Sequence, residues 1–262
     1  MEPIAVPPEL CSVSGKSIVV TGATGALGAP AARALAAGGA KLTAAGQSAA
    51  ALADLVRDVQ QRGGTAQAVT KRASTPENAA DIVAAAVEAY GGLDLLLVAS
   101  GLNKTGPAVD ADVGDWDSVI NANVKEPWLI CQAAGRQMIR QKRGGKIVLI
   151  SSTRAMLGAP GFGPYCSSKA ALNGMVRALA VEWGVHGITV NAVAPTLFRS
   201  PLTEWLFDDR GAAVRESILR RIPLGRLAEP RDFVGPVLFM LSAAADFCTG
   251  QILYIDGGLT AA

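Results

Sequence analysis

The sequence predicts an α/β protein built on a parallel sheet of seven strands with helices on both faces. Short runs of β-branched and other apolar residues alternate with longer helical segments from Lys16 onward, which is typical of βαβ units. Half of the 262 residues are apolar, enough to bury the core of one large domain. Seven runs predict strands buried on both faces: 17–21, 41–45, 66–70, 93–99, 146–151, 189–194 and 252–255.

Helix start and stop signals separate these runs. Ser48 begins an alanine- and leucine-rich segment that ends in a glycine pair, and Thr75 followed by Pro76 begins another segment with the same kind of ending. The segment 197–223 interrupts the alternation of strands and helices. We expect this insertion to form a loop that covers the substrate.

The composition excludes several classes of protein. The net charge of +2 is spread along the chain, so neither nucleic acid nor a membrane surface is expected as a partner. No apolar run approaches the roughly 18 residues that a membrane-spanning helix needs. Four scattered cysteines and one histidine predict no zinc cluster and favour a reducing, cytoplasmic setting. Residues 1–14 do not resemble a signal peptide and are interpreted as an extension before a single domain, residues 15–262.

A glycine-rich turn joins the first predicted strand to the first helix. The turn, residues 21–28 (TGATGALG), precedes an alanine-rich segment in which Pro30 has no explanation from sequence alone. Glycines here let the backbone approach a pyrophosphate, whose charge meets the free N–H groups of the helix N-terminus. Tight turns also need glycine for backbone reasons. The strand, turn and helix in this order nevertheless predict a Rossmann-type, doubly wound domain that binds a dinucleotide.

A tyrosine and a lysine one helical turn apart predict a site for proton transfer. The fifth predicted strand leads into Ser152, and Tyr165 and Lys169 follow at the head of a helix. Residues four apart project from one helical face. An ammonium close to a phenol favours the phenolate, so we expect the pKa of Tyr165 to lie below its usual value of about 10. Such a group can act as a general acid or base.

These motifs together resemble the short-chain dehydrogenase/reductase family, in its compact single-domain branch. The resemblance covers nearly the whole chain, from Lys16 to about Thr260. The residues that carry it are the glycine turn, Leu93-Asp94, Asn121-Ala122-Asn123-Val124, Ser152 with Tyr165 and Lys169, the run 191–195 (NAVAP) and the segments 249–251 and 256–258.

The resemblance implies an oxidoreductase that transfers a hydride between NAD or NADP and a carbonyl or secondary alcohol. It makes Tyr165 the general acid/base and Ser152 a hydrogen-bond partner of the substrate oxygen. Lys169 would bind the nicotinamide ribose, and Asn123 would hold a water that links this lysine to solvent. The resemblance also implies a homotetramer, with the helix that begins near Tyr165 packed against its counterpart in another subunit.

The predicted cofactor site departs from the family pattern in places. The glycine order is that of the extended members, which include epimerases and dehydratases, and Ala26 occupies a glycine position. Gln47 replaces a carboxylate after the second strand, and Arg72 replaces an aspartate after the third, which favours NADP while NAD stays open. The predicted cofactor contacts are Gly22, Thr24, Gly25, Ala26, Leu27, Gly28, Gln47, Arg72, Ala99, Ser100, Gly101, Tyr165, Lys169, Pro195, Thr196, Leu197 and Ser200.

The substrate is expected beyond the carboxyl ends of the fourth and fifth strands, beneath the insertion. Arginines and Lys104 in this region could bind a carboxylate, although such side chains are usually solvated. Two alternatives stay open: an epimerase or dehydratase of the same family, and a catalytically silent nucleotide-sensing protein. The candidate substrate contacts are Asn103, Arg154, Phe162, Arg199 and Trp205.

Overall fold

The computed structural model describes residues 8–198 and 203–261, which form seven strands and eight α-helices. The strands are β1 (Ser17–Thr21), β2 (Lys41–Ala45), β3 (Thr65–Val69), β4 (Leu95–Val98), β5 (Gly145–Ile150), β6 (Ile188–Pro195) and β7 (Ile252–Ile255). The helices are α1 (Gly28–Ala37), α2 (Ala49–Gln61), α3 (Pro76–Tyr90), α4 (Val113–Ile120), α5 (Glu126–Gln141), α6 (Gly163–Trp183), α7 (Ala212–Leu219) and α8 (Pro230–Leu241).

All seven strands belong to one parallel sheet in the order β3-β2-β1-β4-β5-β6-β7. One core cluster joins this sheet to α1, α2 and α8, and a second joins it to α3, α5 and α6. The predicted fold class, a doubly wound α/β sheet of Rossmann type, is therefore confirmed. Strand order reverses between β1 and β4, which opens a crevice at the carboxyl ends of these strands.

The two edge strands correct the prediction that every strand is buried on both faces. In β3 only Ala66 is buried, and all four residues of β7 are partly exposed. An edge strand has a neighbour on one side only, and the helices cover it less completely. The strand β4 is also shorter than predicted, and just before it the Asp94 carboxylate accepts a hydrogen bond from the Ser17 N–H at 2.9 Å.

Local capping explains where the helices begin. The Ser48 hydroxyl accepts a hydrogen bond from the Ala51 N–H at 3.2 Å, and Thr75 caps α3 in the same way. Pro30 is the third residue of α1. The neighbouring Ala29 and Ala31 donate from their backbone N–H groups to the Gly25 and Leu27 carbonyl oxygens, at 2.9 and 3.3 Å. Because proline has no N–H group, the corresponding hydrogen bond to the Ala26 carbonyl oxygen is not formed.

The insertion contains two short 3₁₀ helices, Glu204–Phe207 and Asp209–Gly211, followed by α7. It is anchored by a small apolar cluster of Leu206, Ile222 and Leu227, separate from the two main clusters. Within the described part of the chain, no helix is both long and apolar enough to span a membrane. The described residues also contain no group of three metal-binding side chains.

Candidate active site

The glycine turn between β1 and α1 is shaped by close backbone contacts. Gly22 has φ +63°, and a β-carbon there would lie 2.6 Å from the Ser100 nitrogen. A β-carbon on Gly28 would lie 2.1 Å from the Gly22 oxygen. Because a methyl group fits at neither position, both must be glycine. Gly25 donates a hydrogen bond to the Gly22 oxygen at 2.9 Å, and the closed turn presents its backbone at the start of α1, where a pyrophosphate fits.

A cavity of about 390 Å³ lies beside this turn, at the carboxyl ends of β1, β2 and β4. Its position is the crevice created by the reversal of strand order, and its volume is within the range of small-molecule sites. The fit to a dinucleotide thus rests on the turn, the helix N-terminus and the cavity together. Of the predicted cofactor contacts, those in its walls are Gly22, Thr24, Gly25, Gln47, Arg72, Ala99, Ser100 and Gly101.

The other predicted cofactor contacts lie around this cavity. Ala26, Leu27 and Gly28 continue the turn, and the Ala26 side chain is exposed. Pro195 is the last residue of β6, which pairs with β5, and Thr196 and Leu197 follow it. Ser200 lies outside the described residues.

Basic side chains are paired with carboxylates at the end of the cavity beside β2 and β3, which we call the adenosine end because the sequence predicts the adenosine there. Arg72 donates from Nε to Oε2 of Glu126 at 3.0 Å, and its Nη2 contacts the other carboxylate oxygen. Lys71 forms an ion pair with Asp81 on α3. The charges expected to favour NADP are therefore already balanced. Glu126 was not predicted from the sequence, because it lies 54 residues from Arg72 and meets it only through the packing of α5 beside the crevice.

Lys169 lies one helical turn after Tyr165 on α6, and its side chain is buried. Its ammonium donates a hydrogen bond to the Ile150 carbonyl oxygen at 2.8 Å and lies 5.7 Å from the centre of the Tyr165 ring. Burial lowers the pKa of Lys169 to about 8, because an ammonium is poorly solvated in the interior. The structure thus brings these two side chains close together, as their spacing in the sequence predicts.

The environment of Tyr165 differs from the sequence-based expectation. Burial raises the pKa of Tyr165 above 10.0, whereas a hydrogen bond with Ser152 and the positive charge of Arg154 act in the opposite direction. The lowering of this pKa expected from Lys169 is not found, and the ammonium instead donates to the Ile150 carbonyl. The phenol is therefore the form expected at neutral pH in the absence of ligands.

Ser152 lies just beyond β5 and is buried. Its hydroxyl oxygen accepts a hydrogen bond from the Arg154 N–H at 3.1 Å and also bonds to Tyr165. The structure thus brings Ser152, Tyr165 and Lys169 together at the carboxyl end of β5.

Asn123 is fully buried in a π-helical turn, Asn121–Lys125, between α4 and α5. Its side-chain oxygen accepts from the Leu102 N–H at 2.7 Å, and its amide donates to the Leu102 oxygen at 2.8 Å and to the Ser168 hydroxyl at 2.9 Å. A β-carbon on Gly101 would lie 3.3 Å from Asn123 Oδ1 and 3.6 Å from Lys169 Nζ. Since Gly101 lines the cavity, these two side chains lie directly behind its wall.

The candidate substrate contacts are not all brought together. Arg154 and Phe162 lie beside Tyr165: the guanidinium carbon is 5.4 Å from the Phe162 ring centre, and that ring packs edge-on against the Tyr165 ring. Asn103 is exposed, and Trp205 is 43% exposed on the insertion. Arg199 lies outside the described residues.

Comparison with known proteins agrees with this architecture. A family model described as Enoyl-(Acyl carrier protein) reductase matches residues 22–260. An uncharacterized oxidoreductase of Mycobacterium tuberculosis is 52% identical over 253 residues, 95% of this chain and 93% of the relative. The crystal structure of a short-chain type dehydrogenase/reductase from Mycobacterium marinum superposes with a TM-score of 0.87 at 29% identity, covering 97% of this chain and 98% of that one.

A further solved structure contains ligands. It is a gluconate 5-dehydrogenase from Burkholderia cenocepacia in complex with NADP and tartrate, with a TM-score of 0.91 at 28% identity and coverage of 97% of this chain and 98% of that one. The family match spans the glycine turn from Gly22 onward, the residues Ser152, Tyr165 and Lys169, and the strand β7. This chain therefore belongs to the short-chain dehydrogenase/reductase family and is an oxidoreductase that uses NAD or NADP.

Proposed function

We propose that this enzyme transfers a hydride between NAD(P) and a carbonyl or secondary alcohol, with Tyr165 as the residue that transfers the proton. The observation that carries the proposal is the meeting of Ser152, Tyr165 and Lys169 at the edge of the dinucleotide crevice. A hydroxyl, a phenol and an ammonium at one site are the groups needed to bind a substrate oxygen and exchange its proton.

The cofactor, when bound, supplies or accepts the hydride with its electron pair. We propose that Gly22, Thr24 and Gly25 hold its pyrophosphate, because this turn offers backbone N–H groups at the start of α1. Gln47 and Arg72 would face the adenosine, and the wall at 99–101 would lie along the cofactor towards Lys169. The remaining predicted contacts complete the site around these residues.

The proton is exchanged between the Tyr165 phenol and the substrate oxygen. During reduction, the Tyr165 phenol gives its proton to the carbonyl oxygen as the hydride reaches the carbon, which leaves an alcohol and a phenolate. During oxidation, the phenolate takes the alcohol proton as the hydride leaves. Ser152 donates a hydrogen bond to the same oxygen, and the Lys169 ammonium stabilises the phenolate and binds the ribose. Asn123 would hold the water through which Lys169 exchanges protons with solvent.

Replacing the phenol tests this proposal. Tyr165→Phe deletes the transferable proton and little else, so turnover should fall by roughly 10²–10⁴-fold while NAD(P) binding is retained. Turnover is measured by absorbance of the reduced nicotinamide on a panel of ketones, sugar acids and polyols, and binding by fluorescence titration. The matched control is Tyr90→Phe, because Tyr90 donates to the Leu42 oxygen at 3.1 Å far from the catalytic set. Near-normal turnover in Tyr165→Phe would contradict the assignment.

The same panel separates the alternatives. An epimerase or dehydratase would convert its substrate with no net change in reduced cofactor, and a sensor would bind NAD(P) without converting any member. Net oxidation or reduction by the unmodified enzyme supports the proposal over both.

We also propose a cytoplasmic homotetramer. The outer face of α6 exposes small residues, Ala170, Ala171, Gly174 and Ala178, which would let a symmetry-related helix approach closely. A side chain at Gly174 would meet no other atom within 4 Å in the single chain. Gly174→Arg should therefore fold normally and sediment as a smaller species. All four cysteines are free, which fits a reducing compartment.

A further inference from the structure

We propose that Arg154 binds a carboxylate of the substrate, so that the enzyme oxidises a hydroxy acid and reduces the corresponding keto acid. The inference rests on the proposed function, because it places the reacting carbon of that acid beside Tyr165. It adds the chemical class of the substrate and a residue that selects it.

The Arg154 backbone is hydrogen-bonded to Ser152. Its N–H donates to the Ser152 hydroxyl oxygen at 3.1 Å, and both residues lie in the tight turn that follows β5. A ligand whose oxygen meets Ser152 therefore lies close to the base of the Arg154 side chain.

The guanidinium of Arg154 is held in place, but most of its N–H donors stay available for a ligand. One nitrogen, Nη1, donates to the Gly158 carbonyl oxygen at 3.1 Å, and the guanidinium carbon lies 5.4 Å from the centre of the Phe162 ring. A guanidinium has five N–H donors, so this single hydrogen bond leaves four for a ligand. Because contacts with a carbonyl and a ring orient the planar group beforehand, less conformational entropy is lost when an anion binds.

The side chain also lies close to the reacting group. The Phe162 ring under Arg154 packs against the Tyr165 ring with centres 6.4 Å apart, and Lys169 lies 5.7 Å from that second ring. The charge of Arg154 lowers the pKa of Tyr165, in opposition to the larger effect of burial, so it is within electrostatic range of the phenol. An anion on Arg154 and a reacting oxygen on Tyr165 can thus belong to one small molecule.

Arg154 has no acidic partner among the described residues, and its partner can therefore come from the substrate. Lys104, a second candidate from the sequence, forms an ion pair with Asp115 at 3.3 Å. A single unpaired guanidinium suits the two coplanar oxygens of a carboxylate, which it can bind with two parallel hydrogen bonds. A phosphate dianion would call for further cations, and Lys104, the other described candidate from the sequence, already pairs with Asp115.

Matched pairs of probes test the inference directly. Each pair contains an acid and a neutral alcohol of similar shape: gluconate and glucitol, tartrate and threitol, 3-hydroxybutyrate and 2-butanol. We expect the enzyme to favour the acid of at least one pair. Arg154→Gln should reduce kcat/KM for that acid by roughly 10- to 100-fold, mainly through KM, and Arg154→Lys should restore part of the loss because it keeps the charge.

The control is Arg57→Gln, which changes the net charge equally. Arg57 is exposed on α2 and pairs with Asp54, so kcat/KM for the acid should stay unchanged. No preference for an acid in any pair, a preference that survives in Arg154→Gln, or an equal loss in Arg57→Gln would each overturn the inference. Stronger binding of glycerol 3-phosphate than of every acid would overturn it as well.

Calorimetry separates this inference from the proposed function. Tartrate and gluconate are titrated into the enzyme with NADP bound, so binding is measured without turnover. Acid binding that depends on Arg154, without turnover of any probe, would overturn the proposed function and leave the carboxylate site standing. Turnover confined to neutral alcohols would do the reverse. Tyr165→Phe should lose turnover of both members of a pair but retain acid binding.

Discussion

The positively charged side chains at the two ends of the crevice have different kinds of partner. At the adenosine end, Arg72 is paired with Glu126 and Lys71 with Asp81. At the end beside Tyr165, the charged groups of Lys169 and Arg154 donate hydrogen bonds only to backbone carbonyl oxygens and lie near aromatic rings, among the described residues. A carboxylate partner largely neutralises the positive charge of a cation, whereas a backbone carbonyl is uncharged and leaves most of that charge available to another anion. The pairing of the cations, more than their number, therefore indicates where an anionic group can bind.

The largest effect is expected from removing the buried cation. Lys169→Met should lower turnover by roughly a hundredfold or more, because the phenolate loses its stabilising charge. The same change should stabilise the fold by about 2 kcal/mol at neutral pH. This figure is the cost of a pKa lowered from 10.5 to about 8, about 3 kcal/mol, less about 1 kcal/mol for the lost hydrogen bond to Ile150.

Thermal unfolding checks the sign of this effect. The folded-state pKa of Lys169 lies below its unfolded value, so the unfolded chain binds more protons, and wild-type stability rises with pH between about 8 and 10.5. The Lys169→Met variant lacks this contribution, and its advantage should shrink across that window. The control is Lys16→Met at an exposed position. A Lys169→Met variant that is less stable than the wild type would show that burying the Lys169 ammonium does not destabilise the fold.

The pH dependence of turnover is the next largest effect. Oxidation needs the Tyr165 phenolate beside a charged Lys169, and burial raises the pKa of the phenol while lowering that of the amine to about 8. Therefore kcat/KM for oxidation should rise about tenfold per pH unit below about pH 8 and level off above it. Reduction should be flat below about pH 8 and decline above it. Parallel profiles in the two directions would show that the pair does not titrate as described.

A smaller effect is expected at the adenosine end. Glu126→Gln keeps a hydrogen-bond acceptor for Arg72 but removes the negative charge. The positive charge of Arg72 is then no longer neutralised and can bind the extra phosphate of NADP. The ratio of NADP to NAD affinity should rise roughly five- to tenfold, about 1 kcal/mol. Fluorescence titration with both cofactors measures it, with the exposed Glu88→Gln as a control of equal charge change. An unchanged ratio would place the phosphate away from Arg72.

The smallest effect is expected at Lys71. Its ion pair with Asp81 is about half exposed, and such pairs contribute about 0–1 kcal/mol. Lys71→Gln should change NADP affinity by less than about twofold and leave thermal stability nearly unchanged. A large loss of NADP affinity would show that Lys71 leaves Asp81 for the cofactor, and the contrast between the two ends would then fail.

Local patterns predicted most of the fold. The alternation of apolar runs and helical segments, the caps at Ser48 and Thr75, and the glycine turn all act within a few residues, and the structure contains them where expected. The edges of the sheet were not predicted correctly, because the run that forms β3 does not reveal that it has a neighbour on one side only. The order of strands depends on packing between distant segments.

The site was predictable in part. The spacing of Tyr165 and Lys169 within one helix placed them on one face. Ser152 lies beside them because it follows β5, and α6 packs so that Lys169 reaches the end of that strand. The direction of the pKa shift of Tyr165 was predicted wrongly, since it depends on burial by segments far apart in sequence. Glu126 had no local pattern at all.

The sequence by itself determined the secondary structure, the glycine turn and the identity of the groups at the end beside Tyr165, because each depends on neighbours along the chain. Only the tertiary structure decided which cations are neutralised, which amine is buried and which arginine lies beside the phenol. Burial and ion pairing depend on distances in space between residues that are not neighbours along the chain, as with Arg72 and Glu126, which are 54 residues apart. Both strongly change the free energy of a charged group.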